Sequence, residues 1–489
     1  MRLPALSHAW FFTLALFIAV VLLPSRPPTD ADLGWHLRTG EWMVENRDVM
    51  RVDHFSHTYA GEPRVAFDWV SDIILYTVWQ IGGYAALGLM TSAIFFVIFI
   101  VVFNIVPGHI VARLIVFPFF VLISSIVWAP RPHIISLLFT AIVLWLIHGQ
   151  KRGGDSRWLW VLPVIFLLWG NLHAGWALTA LLMILTAIGE PLNRLMANRT
   201  AHVMDVTRWR RFIGAGAASA AALVVNPFGI AALIVPVIVL NDPSSQEFIS
   251  EWQRTNLTSW RGALLAVYLL LLVACVVVPI IRRRGDWTHV LMMGVAVYIG
   301  LEYLRFVPFA VVIGAPIIIQ ELSRWLNATE WGRRRATPQP ATSRLSFVFH
   351  YVVLGSLVAL AVAYVAYATN PNNIREFQTN HWPLDAVEVM YEEDLPRELF
   401  NHYNWGGFLT WHAPDYPVFI DGRADLYTDF VFAAQDIWDG EGWEEAFAEW
   451  NINTVLVFPD NEIAAILRER DDWEIRHEDE LSILLTRAR

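Results

Sequence analysis

The sequence is nearly without cysteine and nearly without lysine. Its one cysteine, Cys275, lies inside an apolar run. No disulfide can therefore form within the chain, and the thiol reads as inert core. One lysine, Lys151, stands against 34 arginines, a compositional bias from which no function follows. Charge is scarce as well. Only 16% of residues are charged, where a soluble domain carries about 25%. Nucleotide-binding signatures are missing: there is no Walker motif and no G-x-G-x-x-G, and G-x-S-x-G is absent too. Soluble nucleotide chemistry is thus unsupported. No internal repeat is visible, and internal repeats are a common mark of transporters.

What fills the chain instead is hydrophobic sequence. Of 489 residues 56% are hydrophobic, and the mean hydropathy is +0.45. The apolar residues come in blocks, and a bilayer-crossing helix needs about 20 of them. The chain reads as a polytopic α-helical membrane protein with a soluble tail. The tail, 370–489, holds 26 acidic residues against 8 arginines. Its net charge of −18 leaves +8 for the rest of a chain whose total is −10. A domain that acidic is a poor partner for nucleic acid.

The first run, Ala9 to Leu23, is followed by Pro24, Ser25 and Arg26, a poor cleavage site. It reads as an uncleaved first span. Four loops (151–157, 191–212, 282–286 and 323–344) hold 16 Lys and Arg against 4 acids. Basic loops stay cytoplasmic. All four can do so with the N-terminus inside, about eleven spans and the tail outside. That count treats 212–240 as one kinked span and keeps 67–81 out of the membrane; thirteen is the alternative. The membrane part is then 1–369 and the tail 370–489.

This topology gathers the chemistry-bearing residues on the outer side. The loop after the first span opens with "DADLGWHLRTGEW". Asp30 and Asp32 are one residue apart, before a short helix over about 32–45. A carboxylate there can act as general base or hold a divalent cation. The plainer reading is that both cap the helix. Trp35 and Trp42, seven residues apart, share one face and suggest that the helix lies along the membrane surface. His36, Arg38 and Asp53 belong to the same loop. His36, His54 and His57 fit no standard zinc spacing, so surface or hydrogen-bonding roles are the default. Arg131, His133, His173 and Arg305 interrupt apolar sequence at the outer ends of later helices. Ionisable residues at such places mark sites by default, because their burial is costly.

In the tail, 382–393 reads as an amphipathic helix. "ELFNHY", "PVFIDGR", "INTVLVFPD", "WEIRHED" and "LSILLTR" read as strands with helices between them, a compact α/β domain. Asp421, Arg423 and Asp425 follow a strand, where such domains often bind ligands. A strand-end turn held by an Asp–Arg pair is the plainer reading.

A first span, an outer loop opening with acids and short helices, many further spans and a soluble outer tail together resemble the GT-C class of integral-membrane glycosyltransferases. The runs "DADLGWHLRTGEW", "VDHFSHT", "FDWVSD", "WGNLHAGW", "HYNWGGFLTW" and "FIDGRADLY" also resemble a family of bacterial and archaeal polytopic membrane proteins with an outer α/β domain. That second likeness lends architecture rather than an activity. The GT-C resemblance implies a sugar taken from a polyprenyl-phosphate carrier on the outer face and transferred with inversion. It implies a first-loop acid as base, a place that Asp30 matches best and Asp32 second. Arg131, His133, His173 and Arg305 become candidates for holding the carrier phosphate. A transporter or flippase of a lipid-linked or small polar substrate is the alternative, and a non-enzymatic assembly factor is another.

Overall fold

The computed structural model describes residues 6–22, 30–196, 202–243, 249–335 and 343–488. Its contacts divide the chain into two compact units. The first comprises Met1–Arg26, Gly88–Asn226 and Ser250–Tyr367; the second comprises Pro27–Leu87, Pro227–Ile249 and Ala368–Arg489.

The first unit is all helix. Among the described residues of the whole chain, seven helices are long and apolar enough to cross a bilayer, and four shorter ones are apolar. Helix Val307–Ala328 is the centre of this unit and is buried on nearly every side. It packs against helices Ile110–Ser124, Trp260–Ile281 and Trp287–Glu302. Helix Arg344–Ala368 is the opposite case. Leu345, Val352, Leu360 and Val362 on it are largely exposed, the surface that a helix in lipid presents.

One sequence expectation changes here. Segment 212–240 is not one kinked span. It is two helices, Val206–Ala222 and Ala231–Asn241, and the first unit ends between them at Asn226. Pro227 disfavours helix at Asn226, and Gly229 takes a left-handed φ of 56° that leaves the helix. Segment 67–81, which the sequence reading keeps out of the membrane, begins a longer helix. Helix Trp69–Phe103 is broken at Gly83, with φ 58° and ψ −147°, a combination open to glycine alone. The part before the break is only about 20 Å long at 1.5 Å per residue, short of the roughly 30 Å hydrocarbon core.

The second unit is built on a four-stranded sheet: β1 (Leu399–Asn401), β2 (Thr454–Val457), β3 (Trp473–Glu478) and β4 (Ile483–Arg487). The order is β1-β2-β4-β3, with β1 and β2 parallel and the other pairs antiparallel. Both faces are covered, and alternate residues serve opposite cores. Phe400, Val455, Val457, Ile483 and Leu485 meet helices Phe430–Trp438, Trp443–Glu449 and Glu462–Arg468. Leu399, Leu456 and Leu484 meet helices Leu384–Glu392 and Tyr403–His412.

"PVFIDGR" is not a sheet strand, as its pattern suggested. It is extended chain with a single bridge, between Val418 and Ser56 of the first loop. The His57 N–H donates to the Val418 carbonyl (3.1 Å), and the Val418 N–H donates to the Phe55 carbonyl (3.0 Å). The sequence division at 369/370 puts the first loop with the membrane part. In the structure the tail's unit starts at Ala368 and takes in that loop.

Candidate functional site

The first loop forms helix Asp32–Asn46, as its pattern indicates. Its tryptophan face is not held for lipid, however. Trp35 is buried within the protein, with the Arg64 guanidinium stacked 4.9 Å from its ring. Glycines set how closely this helix packs. A side chain at Gly34 would collide with the Gly407 carbonyl, and one at Gly407 with the Ala31 carbonyl. Here the "LGW" of the loop meets the "WGG" of the tail.

Asp30 precedes the helix. Its Oδ1 accepts the Asp32 N–H at 3.1 Å, while the N-cap position itself is Ala31. It also lines a small, open cleft, together with Tyr84, Gln378, Trp382, Phe408 and His412. Trp382 stacks on Phe408 at 5.5 Å, and Phe408 on His412 at 4.3 Å. Burial pushes the His412 imidazole down to about 4, so it is neutral at pH 7. It shares a 3.0 Å hydrogen bond with the Tyr84 hydroxyl. The cleft thus presents one carboxylate against aromatic rings. Asp32 sits differently. Its carboxylate lies against Gly422, where no side chain would fit.

His36 points to a second group. His36 and Gly40 lie one turn apart on one helix face. A side chain at Gly40 would strike the Asp72 carbonyl, so the backbones nearly touch there. This close approach brings His36 Nδ1 to 2.5 Å from Asp72 Oδ1 and 3.7 Å from Asp68 Oδ2. All three side chains are buried. Burial, and then the Asp72 charge, push the Asp68 carboxyl up to about 7 against the pull of His36 and Arg64. Sequence reading placed Asp68 and Asp72 in an interface segment and overlooked their partnership. Their four-residue spacing was the available signal, because it puts both on one helical face.

Asp53 joins a third group. The Arg423 guanidinium donates to Asp53, and it forks onto Asp421 with Nε–Oδ1 at 2.8 Å and Nη2–Oδ2 at 2.6 Å. Ser56 donates to Asp53 through its N–H (3.0 Å) and its hydroxyl (2.5 Å). Burial alone would raise the Asp53 carboxyl. The Arg423 charge and the Ser56 hydrogen bonds outweigh it and hold the group below the usual aspartate range. All three charged side chains here are shut off from solvent. The Asp421–Arg423 pair expected at a strand end is present, but it follows extended chain rather than a sheet strand, with Asp53 as an unforeseen third member. Arg38 takes no part in these groups. It pairs with Glu41 on its own helix and is partly exposed.

In the helical unit, Arg131, His133 and Arg305 come together around Glu251. Arg131 Nη1 donates to Glu251 at 3.2 Å, and Arg305 Nη1 lies 3.7 Å from the same carboxylate. Arg305 also stacks 5.6 Å from the Trp252 ring. Burial would raise the Glu251 carboxyl, but Arg131 and then Arg305 pull it down to about 2. His133 hydrogen-bonds the Val127 carbonyl at 2.9 Å. His173 belongs to another network. It meets the Ser136 hydroxyl at 2.7 Å, to which Trp169 donates, and its Nδ1 accepts the Gly175 N–H at 2.9 Å.

No family model and no curated protein matches this sequence. Solved structures do. The apo oligosaccharyltransferase of Archaeoglobus fulgidus superposes with a TM-score of 0.54 at 12% identity, covering 92% of this chain and 69% of that one. ArnT from Cupriavidus metallidurans, solved bound to undecaprenyl phosphate, superposes with a TM-score of 0.50 at 16% identity, covering 97% of both chains. The chain has the fold of the GT-C glycosyltransferases. At these identities the likeness establishes a polytopic membrane fold with a C-terminal sheet domain and assigns no residue a role.

Proposed function

We propose that the protein is a membrane glycosyltransferase that uses a polyprenyl-phosphate-linked sugar, with Asp30 as general base. The observation that carries this reading is the placement of Asp30. It follows the first apolar helix, and it is the acidic residue on a cleft whose walls include Trp382, Phe408, His412, Tyr84 and Gln378. Aromatic faces suit the C–H side of a sugar ring, and a carboxylate within reach of a hydroxyl can take its proton.

In this scheme the acceptor hydroxyl gives its proton to Asp30 as its oxygen attacks the anomeric carbon. The bond from that carbon to the carrier phosphate breaks on the opposite face, and the phosphate leaves as an anion. Arg131 and Arg305 of the helical unit are assigned to a polyprenyl phosphate by their chemistry, because guanidinium groups pair phosphate oxygens bidentately. A divalent cation shared by Asp30 and Asp32 belongs to the same proposal. The orientation also does: the N-terminus is cytoplasmic and the tail faces outward, on the grounds of the basic loops.

The test is transfer from a labelled lipid-linked sugar by Asp30→Asn at matched expression. Asn keeps an acceptor for the Asp32 N–H but cannot accept a proton at neutral pH. Loss of a general base costs about 10²–10⁴-fold in rate. Full activity would reduce Asp30 to a local structural role and end this reading.

A further inference from the structure

We infer that His36, Asp68 and Asp72 form a binding site for one divalent first-row transition cation of the zinc or manganese type. The site is separate from Asp30 and Asp32, and the inference does not rest on the transferase reading.

Geometry comes first. One donor atom from each of the three residues lies within 4.8 Å of the other two, and all three side chains are buried. They come from two helical segments held nearly in backbone contact at Gly40 and Asp72. The donors are thus fixed by packing rather than gathered on a mobile loop. One imidazole nitrogen and two carboxylates form a set that zinc accepts, with room for a fourth ligand. Imidazole argues for a transition cation over magnesium or calcium, which prefer oxygen alone.

Unpartnered atoms are the second, independent observation. Asp68 Oδ1 and Asp72 Oδ2 are buried and accept no hydrogen bond. Buried carboxylate oxygens are otherwise hydrogen-bonded, paired or metal-bound. Arg64 does not supply the missing donors. Its guanidinium makes no hydrogen bond, and its nearest carboxylate is Asp425, at 3.9 Å.

The experiment uses the full-length protein in detergent, stripped with EDTA and then titrated with ZnCl₂ or MnCl₂. Elemental analysis after gel filtration should find about one equivalent per chain that belongs to this group, beside any cation held at Asp30 and Asp32. Asp30→Asn should keep it, whereas His36→Gln and Asp68→Asn should each lose it. CoCl₂ provides a readout that needs no variant. The wild type should show visible d–d bands of nitrogen and oxygen ligation without a thiolate charge-transfer band. No binding by the wild type would overturn the inference, as would retention in both His36→Gln and Asp68→Asn. Loss in Asp30→Asn with retention in His36→Gln would also overturn it, by placing the cation at the loop's first acids. If either ligand variant fails to fold, the cobalt spectrum of the wild type decides alone.

Discussion

Asp53 and Arg423, 370 positions apart, form an ion pair from which solvent is excluded. Arg423 also forks onto Asp421, so one guanidinium serves two carboxylates. Such a group is costly to break, because removing one member strands a buried charge. Asp53→Asn should lower stability by about 3–5 kcal/mol. Arg423→Lys should be nearly as damaging, since an ammonium cannot form the fork. Thermal melts followed by tryptophan fluorescence check both. A melt for Asp53→Asn within error of the wild type would show that Arg423 needs only Asp421.

The same pair predicts an acid limb to the stability profile. The Asp53 carboxyl is held below its ordinary value near 3.8, and Glu251 is pulled from near 4.5 down to about 2. Both folded values lie below the unfolded ones, so the unfolded chain binds protons more tightly. Their stabilisation is therefore complete above about pH 5 and is lost as the pH falls through the folded values. Melting temperature should drop between pH 5 and pH 2 in the wild type. Asp53→Asn, already destabilised, should lose less over that range, and a parallel curve would remove Asp53 from the account.

Much of the fold could be read because it is local. Apolar block length marked the helices, and short apolar runs marked β2 and β4, whose residues serve the two cores in turn. Helix Asp32–Asn46 followed from its own pattern. What escaped depends on distant partners. Nothing near Gly34 announces that the Gly407 carbonyl will lie against it. "PVFIDGR" reads as a strand because it is apolar and extended, yet its bridge partner is Ser56 in the first loop. The site divides the same way. Asp30 was singled out by its place after the first span. Asp68 and Asp72 were visible as residues, but their meeting with His36 depends on the close packing at Gly40.

Orientation is open to a direct check. If the four basic loops are cytoplasmic, alkaline phosphatase fused after Arg489 should be active, because that enzyme needs export. A green fluorescent protein fusion at the same point should be dark. The reverse pair of results would put the tail in the cytoplasm, and with it the first loop that shares its compact unit.

Glu251 offers the sharpest separation between a phosphate site and a plain salt bridge. It lies between Arg131 and Arg305, 3.2 Å from one and 3.7 Å from the other. If those arginines take the carrier phosphate, they lose or share Glu251 when it binds. Arg305→Ala should then raise KM for the lipid-linked sugar more than it lowers kcat. A lost charged hydrogen bond is worth about 1.5–3 kcal/mol, which is roughly 10- to 100-fold in affinity. Glu251→Gln makes the opposite forecast. It keeps the shape of the side chain but withdraws the competing charge, so polyprenyl phosphate should bind the variant as tightly as the wild type or more so. A structural salt bridge predicts neither result: both substitutions would lower thermal stability together and leave KM unchanged. The discriminating measurement is the pair of KM values set beside the pair of melting temperatures. A KM for Arg305→Ala equal to that of the wild type in a folded protein would remove Arg305 from the carrier site.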